Sequence, residues 1–260
     1  MPLFSIVVVS FNTKKQFLKT INSIKKQKFK NYEIIIVDGK SDDGTINEIK
    51  KIKNKKIKSI IEKDKGIYDA MNKGVTKSLG DWVIFLNSGD TFYNCDVLKK
   101  ISLKKIKNYE ILYGNTVINN DYFNYTIKAQ NFTKTTFLMP FCHQSTVTKR
   151  KILLKSPFSL KYQIASDFEF FVKNFTKKVS FHNLNFVISK ISSNGLSDKK
   201  RNIVYDENIK IITNYNPNFS LVIKLKINKI LFFSKKWIKF LLPNSLNLYI
   251  LKLKYNKNNQ

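Results

Sequence analysis

The sequence predicts an α/β protein in which a mostly parallel, mixed sheet is flanked by helices. Three observations predict this fold. Residues 4–10 form a continuous run rich in β-branched side chains, which is typical of a strand buried on both faces of a parallel sheet. Residues 14–28 then carry apolar side chains at helical spacing, and residues 32–37 form a second buried strand. A strand, a helix and a strand in this order favour a right-handed βαβ unit.

The same alternation continues as far as residue 86. The further elements are predicted as a loop at 39–44, a helix with Ile46, Ile49 and Ile52 on one side, a strand at 59–62, a helix at 67–79 and a strand at 82–86. This half of the chain is therefore Rossmann-like. Ligands of such sheets bind at the carboxyl ends of the strands. We expect the loops that follow the strands to meet in one crevice, namely those after Ser10, Val37, Glu62 and Leu86.

The second half of the chain has a less regular pattern. Residues 109–150 predict short irregular strands with a turn at 113–115, and residues 167–176 predict a helix. Residues 221–242 predict a helix with six lysines and no acidic residue, which Pro243 ends. Its apolar stripe consists of Ile223, Ile227, Ile230, Leu231, Ile238 and Leu241.

Charge and cysteine content narrow the classes of function. The formal net charge of +29 would attract phosphates, nucleic acid or anionic lipid. Arg150 and Arg201 are the two arginines of the chain, whereas proteins that read base edges rely on arginine, so specific nucleic-acid binding is disfavoured. Cys95 and Cys142 have neither disulfide nor zinc spacing, and this favours a reducing, cytoplasmic location.

Six short motifs, in the order and spacing of one family, support a resemblance that covers roughly residues 3–200. The chain resembles a family-2 glycosyltransferase of the glycosyltransferase A fold, similar to bacterial enzymes of surface polysaccharide and lipopolysaccharide synthesis. The motifs are VSFN at 9–12, VDGKSDDGT at 37–45, EKDKGIYDAMNKG at 62–74, FLNSGD at 85–90, CHQS at 142–145 and ASDFE at 165–169.

The resemblance implies an inverting transfer of sugar from a nucleotide-diphosphate sugar, with UDP or GDP as the nucleotide. It implies a catalytic domain at 1–215, divided into a donor-binding half at 1–100 and an acceptor half at 101–215. Asp167 would be the general base, and Asp90 would hold Mg²⁺ or Mn²⁺. His143 and Gln144 would line the acceptor or diphosphate side. The donor-binding residues would be Ser10, Phe11, Asn12, Asp38, Asp64, Asn72 and Asn87.

Several of these residues also have a purely structural interpretation. Asn12 could cap the helix that begins near Lys14. Asp38 could organise an Asx-turn in which Ser41 and Asp43 cap the next helix. Residues 87–90 could simply form a turn, and His143 could be a satisfied histidine beside the core. Ser166 and Glu169 have capping-box spacing, which would make Asp167 a first-turn acid favoured by the helix dipole.

The chain also departs from the family pattern at two places. Gly39 stands where many members carry a second acid after the one at position 38. Asn87 and Gly89 stand where acids often accompany the metal-binding residue, which predicts weak metal affinity without donor. Residues 193–197 are expected to be a flexible loop over the donor, although a plain turn explains them equally well.

The basic extension at 216–260 has two interpretations of its own. Residues 221–242 lack the roughly 20 apolar residues that a spanning helix needs, and an apolar stripe flanked by lysines favours binding in the plane of an anionic membrane. The alternative is a helix docked on the catalytic domain. Membrane binding would imply a glycan or lipid-linked acceptor and a peripheral position on the inner face of the cell membrane.

Two other classes of function compete with the transferase. A nicotinamide oxidoreductase is nearly excluded, because no Gly-x-Gly-x-x-Gly follows the first strand. A non-enzymatic basic protein that binds anionic membrane or nucleic acid remains the alternative, and the net charge supports it.

Overall fold

A computed structural model describes residues 1–241 apart from residues 105, 107, 120–122, 194 and 216, and it does not describe the side chains of 196 and 235–241. The described residues form one mixed sheet in the order β3-β2-β1-β4-β8-β6-β9-β5, with β7 paired to β6. The strands are β1 (Phe4–Ser10), β2 (Tyr32–Asp38), β3 (Ile57–Ile61), β4 (Trp82–Phe85), β5 (Thr91–Phe92), β6 (Ile111–Asn119), β7 (Asn124–Ile127), β8 (Thr146–Lys149) and β9 (Phe181–Ser192). The helices are α1 (Lys14–Lys25), α2 (Thr45–Lys50), α3 (Ile67–Lys77), α4 (Val97–Ser102), α5 (Arg150–Lys155), α6 (Ser166–Thr176), α7 (Leu196–Lys199), α8 (Arg201–Tyr215) and α9 (Phe219–Leu241).

The predicted α/β class is confirmed. Strands β1 to β4 run parallel, and β1 lies between β2 and β4. The β-branched run of β1 is buried on both faces because alternate side chains enter two different cores: Val7 and Val9 face one, while Ile6 and Val8 face the other. Most element ends agree with the predicted ones to within one residue; a larger difference occurs in α1, which ends at Lys25 and not at Lys28.

Within residues 109–150, the predicted turn at 113–115 was wrong. Residues 113–115 are not a turn but part of β6, a nine-residue strand between β8 and β9. The glycine has a packing reason, because a Cβ atom at Gly114 would lie 2.5 Å from the Phe186 carbonyl oxygen. The register of β6 against β9 also shifts on both sides of Asn115. A glycine that permits close strand contact at a bulge therefore gave the sequence signal of a turn.

The predicted flexible loop at 193–197 is partly helical, because α7 begins at residue 196. Residue 194 lies outside the described residues. The donor-covering role of this loop stays a prediction.

The two interpretations of the C-terminal helix are compatible with one another. Helix α9 packs on the rest of the protein through Leu221 and Leu225, which are 2% and 0% exposed. A second apolar stripe faces outward and includes the predicted Ile223, Ile227, Ile230 and Leu231, preceded by Phe219. The side chains of Ile238 and Leu241, also predicted in this stripe, lie outside the described residues, as does the tail from residue 242 onward.

Among the described residues, no helix combines the length and the apolar character that a membrane span requires.

Candidate active site

The carboxyl ends of β1 and β2 are joined by a buried carboxylate. Ser10 and Asp38 are register partners, and the Ser10 hydroxyl donates to Asp38 Oδ2 at 2.7 Å. Ser41 donates twice, through its backbone N–H to Oδ1 at 2.7 Å and through its hydroxyl to Oδ2 at 2.8 Å. Asp38 is 0% exposed. Its carboxylate therefore organises the two loops from within, as the Asx-turn interpretation expects, and its contact with a nucleotide stays a prediction.

Asn12 extends the same network. Its backbone N–H donates to the Ser41 hydroxyl at 2.8 Å, and its side-chain oxygen accepts from the Asp42 N–H at 2.9 Å. The alternative in which Asn12 caps α1 is wrong, because Thr13 precedes that helix. Asp43 instead accepts from the N–H groups of Lys14 and Thr45, at 2.8 and 3.0 Å. One carboxylate thus binds the first residues of both α1 and α2.

Phe11 and Asp64 meet across Gly39. Phe11 is 62% exposed, and a Cβ atom at Gly39 would lie 3.1 Å from its ring and 3.2 Å from Asp64 Oδ2. The missing second acid at position 39 thus leaves room for the Phe11 ring and the Asp64 carboxylate to lie side by side. The exposed ring can stack on a base, and the carboxylate beside it can accept a hydrogen bond from a ribose hydroxyl.

Lys73 holds Asp64 in this position. The Lys73 ammonium lies 2.7 Å from Asp64, 2.9 Å from Glu62 and 3.2 Å from Asp69. Burial alone lowers the pKa of Lys73, but its hydrogen bonds to Asp64, Glu62 and Asp69 raise the pKa overall. Because Lys73 stays charged, it holds Asp64 Oδ1, and the other oxygen, Oδ2, faces Gly39.

Asn72 is not part of this group. Its amide donates to the Phe158 carbonyl at 2.9 Å and accepts from the Phe158 N–H at 3.0 Å. Both functions of the side chain therefore fasten the loop before α6 to helix α3. Its predicted role in donor binding stays a prediction.

The segment after β4 is a tight turn held from below by α1. The Asp90 N–H donates to the Asn87 carbonyl, and Gly89 has φ 103°, a conformation that favours glycine at the third position of such a turn. The buried Thr20 hydroxyl accepts from the Gly89 N–H at 2.9 Å and donates to the Asp90 carbonyl at 2.7 Å. The turn interpretation is thus correct, and the turn also presents Asp90 inward.

Asp90 is a buried carboxyl that forms no ion pair with another residue in the part of the chain that the structure describes. Burial raises its pKa to about 7, and interactions with His143 and Gln144 offset part of that effect. The Asp90 side chain is 8% exposed. In addition, Asn87 Oδ1 and the Ser88 hydroxyl are buried and have no hydrogen-bond partner among the described residues. Such groups carry a free-energy cost that a bound ligand would remove.

His143 connects this turn to helix α6. Its Nδ1 lies 3.0 Å from Asp167 Oδ2, and its Nε2 lies 3.4 Å from the Asn87 amide nitrogen. The tautomer with the hydrogen on Nδ1 satisfies both contacts. Both ring nitrogens of His143 are thus satisfied by predicted site residues, and its role beside the acceptor or the diphosphate stays a prediction.

Asp167 lies in the first turn of α6, and its other oxygen is also held. Asp167 Oδ1 accepts from the Phe168 N–H at 2.9 Å and lies 3.0 Å from the Tyr68 hydroxyl. The Tyr68 hydroxyl is buried and also lies 2.5 Å from the Ile164 carbonyl oxygen. Asp167 thus has one fixed oxygen, while Oδ2 faces His143.

The capping-box alternative for α6 is wrong. Ala165 precedes the helix, the Ser166 hydroxyl has no partner among the described residues, and Glu169 Oε1 accepts from the Tyr215 hydroxyl. The backbone before α6 is bound instead by Glu207, which comes from helix α8. A first-turn position of Asp167 is correct, but the local spacing misidentified the residues that hold it.

Three residues of the site escaped the sequence analysis: Thr20, Tyr68 and Glu207. Tyr68 offered a signal, because a tyrosine on the apolar stripe of α3 must find a partner for its hydroxyl. Thr20 offered a weaker one, as a polar residue on the buried side of α1. Glu207 offered none, because its partners lie more than 40 residues away in the chain.

The residues near Asp90 fit a divalent cation whose coordination shell is supplied mainly by a bound diphosphate. Within the described part of the chain, no group of three or more His, Cys, Asp or Glu side chains is placed to hold a metal ion. Asp90 and the unpartnered Asn87 Oδ1 are hard oxygen donors, which suit Mg²⁺ or Mn²⁺. Two protein donors leave most of the coordination shell to a diphosphate.

The sequence was also compared with known families and proteins. The model of Glycosyl transferase family 2 matches residues 5–172. A PGL/p-HBAD biosynthesis glycosyltransferase of Mycobacterium tuberculosis is 29% identical over 182 residues, which are 67% of this chain and 70% of the relative. The Escherichia coli UDP-Glc:alpha-D-GlcNAc-diphosphoundecaprenol beta-1,3-glucosyltransferase WfgD is 28% identical over 212 residues, which are 76% of this chain and 83% of the relative.

Solved structures with the same fold include two that contain nucleotide sugars. Staphylococcus aureus TarS in complex with UDP-GlcNAc has a TM-score of 0.61 and 18% identity, with 88% of this chain and 72% of TarS covered. The mannosyltransferase PcManGT of Pyrobaculum calidifontis, in complex with GDP-Man and Mn²⁺, has a TM-score of 0.64 and 13% identity, with 88% and 70% covered. At these identities the likeness shows a shared fold.

Proposed function

This chain belongs to glycosyl transferase family 2 and is a glycosyltransferase, and from that premise we propose that it moves a sugar from a UDP- or GDP-sugar, with inversion, to a glycan or lipid-linked acceptor of surface polysaccharide or lipopolysaccharide synthesis. Asp167 acts as the general base, and Asp90 holds a divalent metal. Membership of an enzyme family removes the non-enzymatic basic protein as the leading alternative.

One observation carries the assignment of the site. The turn that contains Asp90 and the carboxylate of Asp167 come from separate halves of the chain, and His143 contacts both: its Nε2 lies 3.4 Å from the Asn87 amide nitrogen and its Nδ1 lies 3.0 Å from Asp167 Oδ2. A donor diphosphate bound near Asp90 would therefore have its sugar close to Asp167. This is the arrangement that transfer in one step requires.

The reaction follows from the position of Asp167. An acceptor hydroxyl gives its proton to Asp167 Oδ2 while its oxygen bonds to the anomeric carbon. The bond from that carbon to the diphosphate breaks, and the leaving oxygen keeps the electron pair, so the anomeric configuration inverts. Oδ1 is held by Tyr68 and by the Phe168 N–H, and Oδ2, which faces His143, keeps a further lone pair that can take the proton.

Asp90 and Asn87 Oδ1 are the protein groups that would hold Mg²⁺ or Mn²⁺. A bound cation would supply charge neutralisation for the departing diphosphate. The ionised form of Asp90 is the one that binds a cation. Because burial raises the pKa of Asp90 to about 7, metal affinity should fall as the pH drops below about 7.

On the donor side, we assign Phe11 to the base and Asp64 to the ribose, since both border the space above Gly39. Ser10, Asn12 and Asp38 support this pocket through their hydrogen-bond network. His143 and Gln144 face the diphosphate or acceptor side. The catalytic domain comprises residues 1–215, and 216–260 form the basic extension.

The acceptor assignment is supported by the name of a relative and by helix α9. WfgD is named for transfer to a diphosphoundecaprenol-linked sugar, which is a membrane-bound acceptor. The outer face of α9 exposes Ile223, Ile227 and Ile230, and the helix contains six lysines and no acid. This combination suits the surface of an anionic membrane, and it would place the enzyme on the inner face of the cell membrane.

A nucleotide panel tests the proposed activity. The full chain should be stabilised against heating by UDP or GDP only when Mg²⁺ or Mn²⁺ is present. Incubation with UDP- and GDP-sugars and extracted lipid-linked acceptors, followed by mass spectrometry, should show one sugar added. Equal stabilisation by ATP and no transfer from any donor would refute the proposal.

The membrane assignment needs point variants and not a deletion. Removing α9 would also uncover its buried Leu221 and Leu225, and so confound loss of folding with loss of binding. Ile227→Glu changes only the outer stripe and should release the protein from vesicles of phosphatidylglycerol and phosphatidylcholine. Thr213→Glu, on the exposed face of α8, is the control for added charge. Unchanged sedimentation of Ile227→Glu with the vesicles would contradict the assignment.

A further inference from the structure

We propose that Glu207 is a positioning residue for the transfer reaction, acting from helix α8 on the segment that carries Asp167. The inference rests on the function proposed for Asp167. Glu207 lies outside the family-matched range of 5–172, so the family match assigns it no role. It does not reach the reacting atoms itself.

The contacts of Glu207 are all directed at one short stretch of backbone. Its Oε1 accepts from the Gln163 N–H at 2.6 Å, and its Oε2 accepts from the N–H groups of Ile164 and Ala165 at 3.0 and 2.8 Å. Glu207 is 8% exposed. Three charge-assisted hydrogen bonds from a buried carboxylate fix three consecutive residues immediately before α6.

The link to Asp167 runs through a single peptide group. The Ala165 N–H and the Ile164 carbonyl belong to the same peptide, whose N–H donates to Glu207 and whose oxygen lies 2.5 Å from the Tyr68 hydroxyl. That hydroxyl also lies 3.0 Å from Asp167 Oδ1. Glu207 therefore holds one end of this peptide, and Tyr68 connects the other end to the predicted base. The single hydroxyl hydrogen of Tyr68 is shared between these two acceptors, so a shift of the peptide changes how Tyr68 holds the base.

The position of α8 is itself secured at other points. Ile211 and Ile212 on its buried face are 0% and 1% exposed, and at its end the Tyr215 hydroxyl donates to Glu169 of α6. Loss of the Glu207 carboxylate should thus leave α8 docked while freeing residues 163–165. A small displacement of the base follows, and this reduces the rate of transfer more than it reduces donor binding.

Glu207→Ala and Glu207→Gln test this role in the full chain, with Asp206→Asn as the adjacent control. With the nucleotide sugar that the wild-type protein consumes, Glu207→Ala should lower kcat about 10- to 100-fold with little change in the donor KM. Glu207→Gln keeps one acceptor oxygen and should recover part of that loss, while Asp206→Asn should turn over as the wild type does. Amide hydrogen exchange should increase at 163–168 in both Glu207 variants and not in the control.

A double variant separates positioning from general damage. If Glu207 acts through Asp167, then adding Glu207→Ala to Asp167→Asn should cause no further loss of the residual rate. Multiplied losses in the double variant, or wild-type kcat in Glu207→Ala, would overturn the inference. Should the alanine variant fail to fold, wild-type kcat and unchanged exchange in Glu207→Gln would overturn it equally. Normal turnover of Asp167→Asn alone would instead refute the proposed function.

Discussion

Two neighbouring parts of the site differ in how far the fold provides partners for their buried polar groups. Around Asp38, every oxygen of the carboxylate has a hydrogen-bond donor from Ser10 or Ser41, and the residue is fully buried. Around Asp90, the carboxyl has a raised pKa, and Asn87 Oδ1 has no hydrogen-bond partner among the described residues. The first network is complete without a ligand, whereas the second is not.

The difference separates structural from functional carboxylates. A buried carboxylate that the fold satisfies adds to stability, because removing it leaves its donors unpaired. A buried carboxylate whose charge the fold compensates only in part, as the raised pKa of Asp90 indicates, lowers stability, and it persists where a ligand completes it. Asp38 ends a buried strand and Asp90 follows one, so the local sequence pattern alone does not tell them apart.

Asp167→Asn should produce the largest effect. It removes the base but can keep the contacts with Tyr68 and the Phe168 N–H, so transfer should fall about 10²- to 10⁴-fold while nucleotide binding stays intact. Steady-state transfer rates and nucleotide titration measure the two quantities. Asp81→Asn removes an equal charge from an exposed position and should have wild-type rates. Near-normal turnover of Asp167→Asn would exclude Asp167 as the base.

Asp38→Ala should have the largest effect on stability. The hydroxyls of Ser10 and Ser41 and the Ser41 N–H would lose their common acceptor, at a cost of about 3 kcal/mol in the free energy of unfolding. Urea denaturation measures the change. Asp42→Ala, an exposed acid of the same loop, should change the free energy of unfolding little. If both variants are equally stable, the Asp38 network is not the support that its geometry indicates.

Asp90→Asn should have the opposite effect on the free energy of unfolding. The pKa of Asp90 is raised by burial to about 7, so between its ordinary value of 3.8 and about 7 the folded state holds a proton that the unfolded state has lost. The contribution of this group to stability therefore falls as the pH rises through that window and is flat above it. Asp90→Asn removes this cost and should stabilise the ligand-free protein at pH 8 by at least about 1 kcal/mol.

Thermal and urea unfolding of wild type and variant from pH 4.5 to 8 would measure this difference. The gap between the two proteins should widen with pH and then level off. Asp81→Asn should show no such pH-dependent gap. An Asp90→Asn protein that is less stable than the wild type at pH 8 would contradict the description of Asp90 as a buried carboxylate whose charge the fold compensates only in part.

Phe11→Ala should have the smallest effect, and one confined to binding. The ring is 62% exposed, so its removal should leave the unfolding free energy nearly unchanged. Loss of stacking on a base should weaken nucleotide binding about tenfold, which corresponds to about 1.4 kcal/mol. Calorimetric titration with UDP and GDP measures it, with Leu103→Ala as a control at another exposed apolar position. Unchanged affinity would remove Phe11 from the base pocket.

The first half of the fold could be predicted from the sequence because its signals are local. The β-branched runs of β1 and β2 and the stripe of α3 each lie within a dozen residues. Strand β6 could not be identified in this way, because Gly114 is explained by the Phe186 backbone, which is distant in sequence. Likewise, only the structure shows that α9 packs through Leu221 and Leu225 and leaves its second stripe exposed.

The candidate site was predictable as a set of positions but not as a set of contacts. The sequence predicts that the loops at the strand ends meet, and the structure brings Asn87 and Asp167 to the two ring nitrogens of His143. The partners of Asp167 do not, since Tyr68 and Glu207 come from α3 and α8. The capping-box spacing at Ser166 and Glu169 shows how a local rule fails where a distant carboxylate takes over the same task.

Nucleotide-dependent stabilisation of Asp90→Asn tests most directly the claim that the turn at residues 87–90, which carries Asp90, is part of the donor site. At pH 8, UDP or GDP together with Mn²⁺ should raise the melting temperature of the wild-type protein, whereas Asp90→Asn should start higher and gain nothing from Mn²⁺. An Asp90→Asn protein that retains the full Mn²⁺-dependent shift would contradict the account.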